Sequence, residues 1–358
     1  MSRTCLFVLG MHRSGTSAMA GALSFLGMGF DSDLVEAVPN DNPKGYWEPV
    51  DVVNINNDIF TAFNMHYMDF GALPNGWMQD KAIVPIRQRI NDWFKRSFLE
   101  ASCIVVKDPR LCRTLPLWLE VLEQQQIKAK CIHVFRHPME VVNSLRVRDN
   151  DFSVVDGLLV WLAHVFDSFL YSPPKNSVVI SYGALMRDPV LVLEAVAQSL
   201  EIEWPVHPDT VAESLKAFLE PSLTHQHFKG NIPYPPLNSL VKSVFDCLVN
   251  YDLKSSDEDF YFHLERYQIQ FQELRCLFES VLGRYLCKLE AEQVNAKEQI
   301  AYRDALVSDM KEQLEAEKVN AKEQIAYRDA LVADLEKLLG SRKDLVKLFF
   351  RPLKKGDS

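Results

Sequence analysis

The chain has 358 residues, 47% hydrophobic and 11% aromatic, enough for the core of one large domain or of one domain plus an appendage. Its net charge of −9 speaks against a general nucleic-acid binder, and no apolar stretch approaches the ~20 residues that span a bilayer. The seven cysteines include no C-x-x-C pair, which argues against a zinc site and for a reducing compartment. With no cleavable leader pattern at the N-terminus, a cytoplasmic protein that binds no nucleic acid is expected.

The first element is the apolar run Cys5-Leu6-Phe7-Val8-Leu9, read as a strand. Gly10-Met-His-Arg-Ser-Gly-Thr-Ser17 follows, and then Met19, Leu23 and Leu26 recur at helical spacing, with Gly27 and Gly29 to end the helix. Residues 28–50 are rich in Asp, Asn, Pro and Gly and predict a loop. Helices are predicted over 50–63 and 82–99. Ile104-Val105-Val106 predicts a short buried strand, followed by Lys107-Asp108-Pro109-Arg110 and a helix near 115–125. Cys131–Phe135 predicts the next strand, followed by Arg136-His137-Pro138 and a helix to about 147; Pro138 suits the first helical position. A helix over 153–171 precedes the strand Val178-Val179-Ile180; Tyr182 and a helix over 189–200 come next. Beyond 205 the pattern weakens. Pro221, Pro233, Pro235 and Pro236 predict an irregular segment, and 258–288 is helical again.

Continuous apolar strands alternating with helices predict βαβ units: an α/β fold with a mainly parallel sheet flanked by helices. Polar sites then belong at the carboxyl ends of the strands. The motifs that carry Arg13, Lys107 and Arg136 each follow such an end.

The tail carries an internal repeat. Leu289 to Val307 recurs from Leu314 with one change, Gln293 to Lys318, at a period of 25 residues. Seven helical turns in that period give about 3.57 residues per turn, between the heptad value and a straight helix, and the composition is that of a long helix or coiled coil. Ile300, Val307, Met310 and Leu314 keep a 3/4 spacing, repeated by Ile325, Val332, Leu335 and Leu339, with Arg303 and Arg328 on the same seam. The expected organisation is a catalytic-type α/β domain over 1–288, a long helix or coiled coil over 289–340 that supports a homo-oligomer, and a basic amphipathic tail over 341–358. That tail holds six basic residues against two acidic ones; it suits contact with a membrane surface, or a solvated helix end.

The 10–17 loop has the chemistry of an anion cradle. Gly10 and Gly15 give the backbone freedom, and the helix N-terminus presents free amides. The spacing Gly10-x-x-x-x-Gly15 is that of a nucleotide P-loop, yet Thr16 stands where its lysine belongs, ahead of Ser17. The cation is instead Arg13, whose guanidinium forks onto phosphate or sulfate oxygens. Arg136 and Ser144 lie eight residues apart, spaced to close on a second anion. Lys107 can stabilise charge on a departing group. Glu48, in Gly45-Tyr46-Trp47-Glu48, is the first choice for a base, with Asp51, Asp31, Asp33 and His12 as rivals.

Together these residues, Phe7-Val-Leu-Gly-Met-His-Arg-Ser-Gly-Thr-Ser-Ala-Met19 above all, resemble the PAPS-dependent sulfotransferases, PAPS being 3′-phosphoadenosine 5′-phosphosulfate. The Arg-Ser-Gly-Thr loop is similar to the branch that includes tyrosylprotein sulfotransferases and bacterial relatives. The resemblance covers roughly residues 4–200 and implies a P-loop-type fold. It implies that Arg13, Ser14, Gly15, Thr16 and Ser17 bind the 5′-phosphosulfate and that Arg136 and Ser144 bind the 3′-phosphate. Lys107 then stands at the bridging oxygen, Arg13 shares the catalytic electrostatics, Glu48 takes the acceptor's proton, and Tyr182 lies near the nucleotide or simply packs. PAPS is the implied co-substrate, with no metal. The acceptor, a hydroxyl or amine on a glycan, lipid, protein or small metabolite, is left open; Tyr46, Trp47, Tyr67 and Trp77 would suit sugar stacking. The rival readings are a nucleoside or sugar kinase and a non-catalytic nucleotide-binding scaffold acting through its tail.

Overall fold

The computed structural model describes residues 3–38, 41–99, 101–148, 152–219, 232, 237–255 and 258–349, without the side chains of 255, 258, 279, 282, 283, 286, 287, 290 and 341–349. Apart from Ile232, the proline-rich stretch from Pro221 to Pro236 therefore lies outside what is described, as does the basic character of the tail. The chain divides into two compact units, Met1–Glu279 and Ser280–Ser358.

The first unit is built on a five-stranded sheet in the order β2-β1-β3-β4-β5. Its strands are β1 (Thr4–Leu9), β2 (Cys103–Lys107), β3 (Lys128–Phe135), β4 (Ser177–Ser181) and the two-residue β5 (Lys254–Ser255). The first four pair in parallel and β5 joins β4 antiparallel. The expected α/β class with a mainly parallel sheet is what the chain adopts.

The strands are apolar throughout because both faces are covered. Cys5, Phe7 and Leu9 turn to one face, where they meet Ile55, Ile90, Trp93 and Trp118. Leu6 and Val8 turn to the other, against Met19, Leu23, Val192 and Val196. Period-2 alternation thus sorts β1 between two cores. α1 (Thr16–Phe25), α8 (Pro189–Leu200) and α9 (Ala212–Phe218) cover the second face. α2 (Val50–Ala62), α3 (Ile83–Ser97) and α4 (Leu111–Gln124) cover the first near β1 and β2. α5 (Pro138–Arg148), α6 (Val154–Tyr171), α10 (Leu237–Asn250) and the start of α11 (Glu258–Phe349) bury a third cluster around Phe166, Phe169 and Phe271. Against the expectation that no apolar stretch approaches a span, α6 is, among the described helices, the one long and apolar enough to cross a membrane by length and composition alone. Its residues Leu158 to Phe166 are buried in this core.

Three differences from the sequence expectation have local causes. α4 starts at Leu111 rather than near 115 and absorbs Pro116, which has no N–H to give to the carbonyl four residues back. The short α7 (Tyr182–Arg187) starts on Ser181, whose hydroxyl accepts from the Ala184 amide, a single-turn cap without hydrophobic periodicity to announce it. α9, α10 and β5 fall in the region where pattern faded, whereas α11 carries the helix expected over 258–288 on through the repeat as one element.

Sheet order fixes where a ligand can bind. From β1 the chain passes to β2 on one side and then to β3 on the other, so β1 lies at a topological switch point. A crevice opens there, beyond the carboxyl ends of the strands.

Candidate active site

The loop leaving β1 is shaped by distant backbone. Gly10 has φ +145°, and a Cβ on it would lie 2.3 Å from the Val134 carbonyl oxygen of β3. Its amide donates to Cys112 Sγ at 3.1 Å, while burial pushes that thiol up to about 12. Gly15 has φ +97°, and a Cβ there would meet the Tyr182 ring at 2.3 Å. Between them Arg13 takes φ 68°, an uncommon left-handed conformation for a side-chain-bearing residue. Gly15 caps α1 with no side-chain bond, leaving the first-turn amides of Thr16 and Ser17 as helix-end donors without intrahelical acceptors.

Arg13 joins three segments. Its Nε donates to Ser144 Oγ at 2.8 Å, and one terminal nitrogen donates to Asp41 Oδ1 at 2.8 Å. The other oxygen of Asp41 accepts from the Tyr46 hydroxyl at 2.6 Å. Burial and that hydrogen bond push the Tyr46 phenol up to about 12. Arg136, at the end of β3, pairs with Glu140 at 2.8 Å and lies over the Tyr182 ring at 4.9 Å. Loop and β3 end therefore share Tyr182, whose ring lies close to Gly15 and under Arg136.

Lys107, at the end of β2, is 2% exposed. It donates to Glu48 Oε1 at 2.5 Å, to the Tyr46 carbonyl at 2.9 Å and to Ser17 Oγ at 3.1 Å. Those three acceptors use the ammonium's full set of protons. Arg110 approaches the other Glu48 oxygen at 3.8 Å and pairs with Asp108 at 2.9 Å. Asp108 also accepts from Asn56, which in turn receives Thr114 and Trp118. The carboxyl of Glu48 is raised above its ordinary range, because burial outweighs the attraction of Lys107.

The side chains converge on one cavity of about 480 Å³, lined by Arg13, Gly15, Thr16, Ser17, Glu48, Lys107, Arg136, Ser144 and Tyr182. A cavity of that size suits a small ligand. Ser14 is not among its lining: buried, it faces a separate internal cavity of about 20 Å³. Of the rival bases, His12 lines the large cavity. Burial holds its imidazole well below the ordinary histidine range, so it is neutral. Asp31 instead accepts the Trp93 indole at 2.9 Å, and Asp51 pairs with Arg96 on the surface at 2.7 Å. Asp33 is exposed, and none of these three carboxylates lines the cavity. Of the aromatics, Tyr46 lines the cavity. Trp77 is buried in the core, Trp47 packs on Phe30, and Tyr67 lies under Arg110 at 4.2 Å.

Several lining residues carry no local sequence signal. Asp41, Asn42 and Lys44 close over the loop: Asn42 donates to Ser17 Oγ at 3.2 Å, and Lys44 reaches the Phe218 carbonyl. Arg148, Met186 and Phe218 complete the wall. Among the described residues, one grouping could hold a metal ion, the exposed Glu194, His207 and Asp209; none of them lines the cavity.

A cavity lined by two arginines, a buried ammonium and a carboxylate can hold an anion and take a proton beside it. The model of the "Sulfotransferase family" matches residues 6–206. Among solved structures, the sulfotransferase domain from the curacin biosynthetic pathway is similar at 17% identity and a TM-score of 0.42, over 68% of this chain and 98% of that one. The sulfotransferase domain of the Synechococcus PCC 7002 olefin synthase is similar at 17% identity and a TM-score of 0.38, over 75% and 95%. A sulfotransferase from Alicyclobacillus acidocaldarius is similar at 17% and 0.34, over 64% and 98%. No curated protein matches the chain.

Proposed function

The chain belongs to the sulfotransferase family, and from that premise we propose that it transfers a sulfuryl group from PAPS to a hydroxyl or amine of an acceptor. The observation that carries the donor assignment is the 2.8 Å bond between Arg13 and Ser144, which ties the loop after β1 to the helix after β3. A donor anionic at both ends needs two such sites within one cavity, and Arg13 and Arg136 both line it.

In this reading the loop amides, Arg13, Thr16 and Ser17 hold the 5′ end. Arg136 and Ser144 hold the 3′-phosphate, and Tyr182 lies against the nucleotide. The acceptor oxygen or nitrogen attacks sulfur in line, the bond from sulfur to the bridging phosphate oxygen breaks, and that oxygen leaves with the electron pair. Lys107 stabilises the charge it gains, as preplaced cations do at developing anions. Glu48 takes the proton; its raised carboxyl makes it a stronger base than an exposed glutamate once it is ionised.

The test separates donor from nucleoside triphosphate. PAP, the desulfated donor, should raise the melting temperature where Mg-ATP does not. Labelled sulfate should pass from PAPS into one species of a cell extract, whose identification names the acceptor. Stabilisation by Mg-ATP alone would replace this reading with a kinase. Tight PAP binding without turnover on any acceptor would replace it with a nucleotide-binding scaffold.

A further inference from the structure

The second unit is helical from Ser280 to Phe349, the continuation of α11, and its apolar residues are open to solvent. Ile300 is 58% exposed, Leu314 51% and Leu339 59%. A lone helix gains no burial to hold it together, so a face of this kind needs a partner.

The 25-residue period sets the composition of that face. At about 100° per residue, Leu289, Ile300, Val307, Leu314, Ile325, Val332 and Leu339 form one spine. Beside it, three residues after a spine position in each case, runs the row Glu292, Arg303, Met310, Glu317, Arg328, Leu335. The charges in this row are antisymmetric about Met310. Arg303 and Glu317 lie at equal distances on either side of it, as do Glu292 and Arg328.

Two arrangements of a second copy meet this row differently. In a parallel, in-register pair each row residue faces itself: Glu292 on Glu292, Arg303 on Arg303, and so on, like charge against like at every polar layer. In an antiparallel pair centred near Met310, Arg303 comes within reach of the partner's Glu317 and Arg328 within reach of the partner's Glu292. The spine is buried in both arrangements; the charges fit in one.

We propose that residues 281–339 self-associate as an antiparallel two-stranded coiled coil centred near Met310, with Arg303–Glu317 and Glu292–Arg328 as its inter-chain pairs. The duplicated segment is then an interaction surface for a second copy of this chain. This rests on α11 alone and not on the sulfuryl-transfer reading.

Sedimentation and light scattering on the full chain test it, with circular dichroism to check that helix content is kept. The wild type should have twice the monomer mass. Arg303→Glu with Arg328→Glu should weaken self-association about tenfold or more, since every inter-chain pair becomes Glu on Glu. Adding Glu292→Arg and Glu317→Arg to that variant should restore the dimer. A monomeric wild type, a higher oligomer, or a tail that associates with a different protein overturns the proposal. So does an unchanged dimer in the double variant, or a quadruple variant that keeps its helix but does not re-pair.

Discussion

Asp41 Oδ1 lies 2.8 Å from a terminal nitrogen of Arg13, so a carboxylate of this chain holds the cation that lies in the phosphate-type loop. Both side chains are partly exposed, 28% and 19%, which keeps the pair's worth to roughly 0.2–1 kcal/mol. An incoming anion must displace Asp41 or share Arg13 with it. Asp41→Ala should therefore tighten PAP binding by about two- to fivefold in calorimetry. Weaker binding in that variant would mean that Asp41 orients Arg13 rather than competing for it.

Ser144 takes the opposite role. Ser144→Ala removes the acceptor of the Arg13 Nε bond and a group assigned to the 3′-phosphate. Hydrogen bonds to charged groups contribute about 1.5–3 kcal/mol, so PAP affinity should fall by roughly 10- to 100-fold. AMP, which lacks the 3′-phosphate, should lose much less. Equal losses for both nucleotides would place Ser144 with the 5′ end instead.

The Lys107–Glu48 pair is nearly closed to water, with side chains 2% and 10% exposed. Removing one partner of a buried pair costs about 3–5 kcal/mol, because the other charge is left uncompensated. Lys107→Met should show that loss in urea unfolding, with turnover down by about 10²–10³. Adding Glu48→Gln should recover stability and not turnover. Recovery of both would make the pair a structural feature only.

The pH dependence of activity follows from Glu48. Its carboxyl is raised by burial, and a base works only when ionised, so kcat/KM should rise with pH through that raised value. Glu48→Gln should abolish the rising limb. A limb that persists in the variant would move the base to another group, with His12 next in the same cavity.

Stability should fall on the acid side for a different reason. Burial holds His133 at about 3 and His164 at about 4, against 6.5 for a free imidazole. The unfolded chain binds those protons first, so the folded state loses ground as pH drops below 6.5 and continues to lose it down to each folded value. At pH 5 each histidine costs about 2 kcal/mol relative to neutral pH. Urea midpoints at pH 7 and pH 5 measure the sum, and His133→Gln should flatten the difference.

Strands and helix faces were legible because their information is local: Leu6 and Val8 on one face, Phe7 and Leu9 on the other, each within two residues of its neighbour. Arg13, Lys107 and Arg136 were legible because each follows an apolar strand in a parallel sheet. Asp41 was hidden, since its tie to Arg13 spans 28 positions that include the whole of α1 before the loop begins. Cys112 and Phe218 were hidden more deeply, meeting Gly10 and Lys44 across 102 and 174 positions. For Ser14 the motif gives the letters of a turn but not which of its side chains points outward. It turns inward, its amide spent on the Met11 carbonyl at 3.1 Å.

The eight residues from Gly10 to Ser17 owe their contour to groups they do not contain: the Val134 carbonyl, the Cys112 thiol, the Tyr182 ring and the Ser144 hydroxyl. Transplanted into a foreign scaffold, the octapeptide would carry its spelling and leave its mould behind. Whatever grip the segment has on a ligand is a property inherited from the whole sheet, and an engineer who wants to move it must move four neighbours as well.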